Sequence, residues 1–199
     1  MSDTTVVLAV WDFNGPEGST SPSTGKGRFA LAGETSLLLA GGAGSSDPVT
    51  AYPPNHCIGI YNFPSQGTAP ESAGAAFFVP TTGHQVAEVA FDVYPDALSS
   101  RWLRIQLTCD AGETWQNHHA EGSHTQGGLY DLRSAGWYRL FADLRSESCI
   151  HDNERFGFRV VSARSPSTGV YEACGGQNPY SRFGLMFLDM VMVTGKAMG

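Results

Sequence analysis

The sequence has few charged residues, no excess of basic residues and no long apolar run. Only 16% of its 199 residues are charged, and 19 aspartates and glutamates outnumber 12 lysines and arginines. The formal charge of −7 disfavours binding to phosphate backbones or anionic lipid, so nucleic acid is not an expected partner. No segment approaches the roughly 20 consecutive apolar residues of a membrane-spanning helix, and no membrane insertion is expected.

Amphipathic helical patterns are also lacking, whereas turn-forming residues are abundant. The chain contains 24 glycines and 11 prolines without any period, which leaves little room for long helices and excludes collagen and coiled coil. Because 41% of the residues are apolar, the chain can still form a globular core. We therefore expect an all-β protein made of many short strands.

Strand signals recur at nearly regular intervals along the chain. The clearest are at 89–94 and 102–107, where apolar and polar side chains alternate with the two-residue period of half-buried strands. The ten segments predicted as strands are 5–13, 29–32, 35–40, 57–61, 75–79, 89–94, 102–107, 137–144, 155–161 and 183–193. No linker divides them, so the sequence predicts one antiparallel β-sandwich domain over residues 1–199, with long loops.

The four cysteines show none of the CxxC spacings typical of zinc or thioredoxin-like sites. Cys57, Cys109, Cys149 and Cys174 allow either two disulfides, which suit a secreted protein, or four buried thiols, which suit a cytosolic or virion protein. Composition does not choose between them. The first five residues lack the basic segment of a secretory signal, so the chain is either made without export or given without its signal.

The most specific local motif is S/T-x-D-x-G-x-T-W, known as an Asp box. Its positions are filled by Thr108, Asp110, Gly112, Thr114 and Trp115. The hydroxyl and carboxylate groups can satisfy turn amides, the glycine can take a positive φ, and the tryptophan can fold back as a hydrophobic plug. Sialidases repeat this motif in propeller blades, but one copy cannot make a propeller, so we expect a structural hairpin turn.

Several further motifs make the chain resemble one family. They are WDFNG at 11–15, TTG at 81–83, VAFDV at 89–93, SSRW at 99–102, FGFR at 156–159 and LDMVMVTG at 188–195. With the Asp box, this succession resembles the jelly-roll domains of exported bacterial surface proteins, including those with PEP-CTERM sorting tails and those beside extracellular nucleases. The resemblance covers about residues 6–195. It implies a jelly roll, an extracellular or surface location, and binding to surfaces or glycans.

The resemblance also implies one structural calcium ion. Jelly-roll glycan-binding modules often hold calcium between the loop after the first strand and the last strand, through oxygen ligands. Asp12 and Asp189 occupy those two places, and Glu17 or Asn14 could join them. The alternative is that Asp12 caps a turn and Asp189 pairs with an arginine.

An aromatic platform is the second device that glycan-binding proteins use. Period two places Trp102, Arg104 and Gln106 together on the face opposite the apolar positions 103, 105 and 107. Trp102 could stack on a sugar ring while the other two bond its hydroxyls, and Tyr94 and Arg159 could extend the patch. The same face could instead be buried under a loop or a neighbouring subunit.

The histidine-rich segment 116–124 offers a transition-metal alternative. His118, His119 and His124 with Glu121 are suitable ligand types, but adjacent histidines on an extended segment point apart and no HExxH spacing occurs. A solvated loop is the simpler interpretation.

Catalytic motifs are absent from the sequence. It has no GxSxG, no HExxH and no phosphate-binding GxxxxGK[ST], and its carboxylate pairs have no context that would separate their pKa values. The sequence thus predicts a non-enzymatic binding or surface-display module, with carbohydrate as the leading ligand. The alternatives are a structural protein of an assembly, such as a phage decoration or tail component or an extracellular-layer subunit, and, less favoured, a hydrolase. Symmetric oligomeric contacts would distinguish the assembly protein.

Overall fold

The protein folds as two packed antiparallel β-sheets. The computed structural model describes residues 4–16, 19–68 and 71–199. Within these residues the strands are β1 (Thr5–Trp11), β2 (Thr24–Gly25), β3 (Arg28–Ala32), β4 (Ser36–Gly41), β5 (His56–Tyr61), β6 (Gly74–Phe78), β7 (His84–Pro95), β8 (Trp102–Thr108), β9 (Gln116–Asn117), β10 (Thr125–Gln126), β11 (Leu129–Asp131), β12 (Tyr138–Asp143), β13 (Gly157–Ala163) and β14 (Met186–Ala197).

In the described part of the chain each sheet contains seven strands. In sheet A the order is β12-β7-β14-β1-β2, and β5 pairs with the start of β14 and carries β4 at its outer edge. In sheet B the order is β10-β11-β8-β13-β6-β3, and β9 pairs with the end of β8. Strands distant in sequence thus lie side by side, which is the jelly-roll form of the predicted β-sandwich.

The ten strands of five or more residues correspond to the ten predicted segments. Four shorter strands, β2, β9, β10 and β11, lie in segments without a strand signal. Two or three residues are too few to show a period, and such strands form only because a neighbouring strand offers hydrogen-bond partners. In the described residues the only helical segment is a 3₁₀ turn at Ser148–Ile150.

The core lies between the inner faces of the two sheets. Leu103, Ile105 and Leu107 point into it, as their alternation predicts. Phe77 of sheet B contacts Trp11 of sheet A at 5.1 Å between ring centres, and Phe158 stacks on Phe77 at 5.2 Å. These large rings stabilise the packing of the two sheets, because their apolar area is buried between the sheets and removed from water.

The cysteines adopt neither of the two arrangements considered from composition. Cys109 and Cys149 form a disulfide that ties the turn after β8 to the 3₁₀ turn. Cys57 and Cys174 are buried free thiols. Burial raises the pKa of Cys57 to about 12 and that of Cys174 to about 11, so both remain protonated and unreactive.

The described part of the chain contains no helix with the length and apolar character needed to cross a membrane.

Candidate functional site

Trp102 lies on the outer face of sheet B, as period two predicts, but its ring is covered. Only 2% of Trp102 is exposed, and the side chain packs against Leu129 and Ala163. Its Nε1 donates a hydrogen bond of 2.9 Å to Oε2 of Glu172, which belongs to the segment that follows β13. The prediction that Trp102 offers a stacking platform is therefore wrong, because this segment folds over the start of β8.

The two polar residues predicted beside Trp102 are engaged with other side chains. Arg104 pairs with Glu71, with 3.2 Å between Nη2 and Oε1. Gln106 is buried; its Nε2 donates to Oδ1 of Asn117 at 2.7 Å, and its Oε1 accepts from Nε of Arg159 at 2.6 Å. Trp102, Arg104 and Gln106 thus share a face without forming one exposed patch.

Next to Gln106, the outer face of sheet B carries four side chains in contact, which we call the aromatic row: Arg28, Phe78, Trp115 and Arg159. The guanidinium carbon of Arg28 lies 3.5 Å from the centre of the Phe78 ring. The Phe78 and Trp115 rings meet edge to face at 6.1 Å, and the guanidinium carbon of Arg159 lies 4.3 Å from the Trp115 ring. Both rings are partly exposed, so the row alternates cations and aromatic surface at the protein boundary.

Strand register brings the aromatic row together. Arg28 of β3 lies directly opposite Phe78 of β6, and Gly157 of β13 lies opposite Phe78 on its other side. A Cβ at Gly157 would stand 2.6 Å from the Phe78 ring, so the ring lies across a position that only glycine allows. Two residues further along β13, Arg159 projects from the same face.

The turn after β8 supplies Trp115. Oγ1 of Thr108 donates to Oδ1 of Asp110 at 2.6 Å and accepts from the amide of Gly112 at 2.9 Å, while the Thr114 amide donates to Oδ1 of Asp110 at 2.9 Å. These hydrogen bonds, first that from Thr108, hold the pKa of Asp110 well below its ordinary value. The tight turn directs Trp115 back over the sheet, where it lies half-buried on the outer face rather than in the core.

The two predicted calcium ligands have different surroundings. Oδ1 of Asp12 accepts the Asn14 amide at 3.2 Å, which is the turn-capping arrangement, and Asn14 itself donates to Asp47 at 2.6 Å. Asp189 is fully buried and accepts a hydrogen bond from Oγ of Ser45 at 2.6 Å. Glu17 lies outside the described residues.

Asp189 lies in an electronegative, buried environment on the outer side of sheet A. Burial raises the pKa of Asp189 to about 7, and Asp47 and Asp92 add to the increase. Asp92 pairs with Arg139 at 3.0 Å, but in the described residues no cation pairs with Asp189.

Nearby, Oδ1 of Asn55 is buried without a hydrogen-bond partner in the described structure. A Cβ added to Gly42 would lie 2.0 Å from this oxygen and 2.7 Å from Oδ2 of Asp189, so both oxygens face the same point. No three Asp, Glu, His or Cys side chains in the described residues are grouped as metal ligands. The oxygens at this point could hold calcium only if amide or main-chain oxygens supplied the ligands that the carboxylates do not provide.

The histidines of the loop after β8 point in different directions. Nδ1 of His118 lies 3.3 Å from Oε1 of Glu147 and the ring is buried, so this part of the loop is not solvated as expected. His124 instead packs edge-on against Tyr138 at 5.1 Å, and His119 lies against Gly128.

No protein-family model and no curated protein sequence matches the chain. Among solved structures, the chain is similar to the CBM22-1 xylan-binding domain of Paenibacillus barcinonensis Xyn10C, with a TM-score of 0.52, 11% identity and 100% of both chains covered. It is also similar to a xylan-binding domain from CBM22, with a TM-score of 0.50, 13% identity and 97% of each chain covered. A third match is the CBM22-1 and GH10 structure of Clostridium thermocellum Xyn10B, with a TM-score of 0.51, 11% identity, and 100% of this chain and 29% of that chain covered. At this identity the likeness establishes the jelly-roll fold and not the ligand.

Proposed function

We propose that the protein is a non-catalytic carbohydrate-binding module and that the outer face of sheet B contacts the glycan. The observation that carries the proposal is the aromatic row, in which Phe78 and Trp115 present partly exposed rings between Arg28 and Arg159. Aromatic rings cover the apolar faces of sugars, and guanidinium groups bond their hydroxyls. Two of the similar structures are xylan-binding domains, which supports the same class of ligand.

The position of the row supports an extended ligand rather than a small molecule. Its residues come from β3, β6, β13 and the turn after β8, so they cross the sheet instead of closing around a pocket. Asn117, exposed beside the row, adds an amide that already bonds Gln106. A polysaccharide lying across the strands would contact several of these groups at once.

Affinity electrophoresis in gels containing different polysaccharides tests the proposal. We expect the wild-type protein to be retarded by at least one polysaccharide and Trp115→Ala to lose most of that retardation. Trp137→Ala is the matched control, because Trp137 packs on Tyr94 of sheet A and donates to the carbonyl of Ala43. Equal loss in both folded variants, or no retardation of the wild type by any polysaccharide, would contradict the proposal.

We also propose that one calcium ion stabilises the module near Asp189. The buried carboxylate lacks a cationic partner in the described structure, and the unpartnered Asn55 oxygen faces the same point. Asp12 is proposed as a second calcium ligand only because the family resemblance implies it, since in the structure its carboxylate caps a turn. The ion would have a structural function, since the site lies on sheet A and the aromatic row on sheet B.

The proposed location is outside the cell or on a cell or virion surface. A disulfide between Cys109 and Cys149 persists in oxidising compartments and is rare in reducing ones.

A structural subunit of an assembly is the second candidate, and the edge of sheet A favours it. In the described structure β4 pairs only with β5, and its Leu37 and Leu39 are 38% and 42% exposed. An exposed edge strand with apolar side chains can pair with another chain. Light scattering tests this candidate: a single-chain mass in solution excludes it, whereas a defined oligomer that Leu39→Lys dissociates would support it.

A further inference from the structure

The aromatic row contains two arginines that lack an acidic partner. In the described residues neither Arg28 nor Arg159 forms an ion pair, whereas Arg101, Arg104, Arg133, Arg139, Arg145 and Arg155 all do. Arg164 and Arg182 also lack an ion pair, but their terminal amino groups donate to the Thr68 carbonyl and the Asn62 side chain. The neighbouring carboxylates are already engaged, because Glu71 pairs with Arg104 and Glu113 pairs with Arg155. The two cations in the row are therefore not neutralised from within the protein.

Arg159 is held in one orientation with part of its hydrogen-bonding capacity unused. Its guanidinium carbon lies over the Trp115 ring, and its Nε donates to Gln106. Gln106 is fixed in turn by Asn117. The two terminal amino groups of Arg159 make no hydrogen bond to any described residue, so a pair of donors on a side chain anchored through Nε is left without a protein partner. A planar donor pair of this kind matches a carboxylate in a bidentate geometry.

The environment of Arg159 also favours an anion. Arg159 is half-buried, and burial lowers the pKa of its guanidinium. A partly desolvated cation gains more from an opposite charge than a fully hydrated cation does. Arg28 lies across Phe78 from it and is more exposed, with no side-chain hydrogen bond to a described residue.

We infer that the glycan bound on the aromatic row is acidic, carrying the carboxylates of uronic acid residues that Arg159 and Arg28 recognise. This inference rests on the proposed carbohydrate-binding function and specifies its ligand class. Phe78 and Trp115 contact the apolar faces of the sugar rings, and the arginines bind carboxylates on the sugars that flank them. The protein as a whole carries a charge of −7, so an acidic polymer is not attracted over long distance and is bound by these local contacts.

Comparing acidic polysaccharides with their neutralised forms tests the inference. Titration calorimetry would use polygalacturonate, alginate and glucuronoxylan, each beside the same polymer with its carboxyls reduced to alcohols, and unsubstituted xylan and mannan as neutral polymers. We expect the wild type to bind at least one acidic polymer and to bind the reduced form about tenfold more weakly or worse, as loss of one charged hydrogen-bonding pair implies.

Variants assign the effect to the two arginines. Arg159→Lys keeps the charge and loses the planar donor pair, and Arg28→Gln removes the second cation; each should weaken binding to the acidic polymer about tenfold. Arg28→Gln should leave the melting temperature nearly unchanged, whereas Arg159→Lys also removes the Nε donor to the buried Gln106 and should melt lower, so its affinity is measured below its own melting transition. Arg145→Gln is the control, because it removes an equal charge from an exposed pair with Asp143 on sheet A. Binding to the carboxyl-reduced polymers should weaken much less than binding to the acidic polymers in Arg159→Lys and Arg28→Gln, because only contacts to sugar hydroxyls are then lost, and it should not change in Arg145→Gln.

The outcomes separate the ligand class from the proposed function. Equal affinity for acidic and reduced polymers, or binding to neutral xylan or mannan alone, would overturn the acidic ligand and leave carbohydrate binding in place. An effect of Arg145→Gln as large as that of Arg159→Lys would show general charge attraction and overturn it too, as would tighter binding to polyuridylate than to any acidic glycan. Failure to bind any polysaccharide would overturn both.

Discussion

The guanidinium carbon of Arg159 lies 4.3 Å from the centre of the Trp115 ring, although the two residues are 44 positions apart in the chain. Arg159 comes from β13, at the middle of sheet B, and Trp115 from the hairpin turn after β8. Their contact joins a turn held by several side-chain hydrogen bonds to an arginine that no carboxylate neutralises in the described structure. Substitutions in the turn should change the stability of the protein, and substitutions of the neighbouring row residues should change the proposed glycan binding. Measuring both quantities on each variant separates the two effects.

Trp102→Phe should lower stability without weakening glycan binding. The substitution keeps a ring in the cluster with Leu129 and Ala163 but removes the donor that satisfies Glu172, which costs about 1–3 kcal/mol of unfolding free energy. Urea unfolding gives the stability, and affinity electrophoresis gives the binding. If the folded variant loses polysaccharide affinity as Trp115→Ala does, Trp102 belongs to the binding face after all.

Asp110→Ala should lower the melting temperature, because the amide of Thr114 and the hydroxyls of Thr108 and Thr114 lose their acceptor. The effect has a defined pH dependence. Since the pKa of Asp110 is depressed in the folded protein, its carboxylate stabilises the fold above about pH 4, the unfolded pKa, and this contribution disappears as pH falls through the folded pKa.

Melting curves of wild type and Asp110→Ala between pH 2 and pH 7 check this dependence. The difference between the two proteins should be constant near neutrality and shrink in acid. A variant that melts like the wild type but no longer binds polysaccharide would show that Asp110 acts in binding rather than in the turn.

Calcium should raise the melting temperature, and a chelator should reverse the increase. A ligand that binds only the native state at 100 times its dissociation constant stabilises by about 2.7 kcal/mol. Asp189→Asn should abolish the response, because it removes the buried carboxylate facing Asn55. Asp12→Asn, measured in parallel, shows whether the turn-capping carboxylate also contacts the ion. Melting that is independent of calcium and chelator would remove the calcium proposal.

Replacing Cys109 and Cys149 together by serine should destabilise the protein by about 2–4 kcal/mol, the usual contribution of a disulfide. The substitution frees the turn that carries Trp115, so affinity for the polysaccharide should fall as well. Cys57→Ser is the control for a buried cysteine without a disulfide; its effect on binding should be small, because Cys57 lies in sheet A. Unchanged melting of the double variant would contradict a stabilising disulfide.

Part of the proposed binding face could be predicted from local sequence, and part could not. The motif at 108–115 identified Trp115 and the hairpin turn. Arg28 and Phe78 alternate with Phe29, which packs against the core, and with the core residue Phe77, so period two alone would have shown that they face outward. That the outward residues of β3, β6 and β13 are neighbours depends on the strand order, which no local pattern specifies.

Trp102 shows the opposite case, in which a correct local prediction led to a wrong site. Alternation placed it on the outer face, and the structure agrees. Its burial depends on Glu172 and the segment after β13, about 70 residues away, and a polar loop has no sequence signal for the strand it will cover.

The sequence by itself determined the β class, the ten longer strands and the inward or outward direction of their side chains, because these follow from the two-residue geometry of an extended chain. Tertiary structure alone decided which outward side chains meet, which cysteines pair and which carboxylate is buried. Arg28, Phe78, Trp115 and Arg159 become one surface, Cys109 reaches Cys149, and Asp189 is enclosed near Asn55 only after the sheets have assembled. These relationships arise from strand order and loop closure over long sequence separations, where local propensity has no influence.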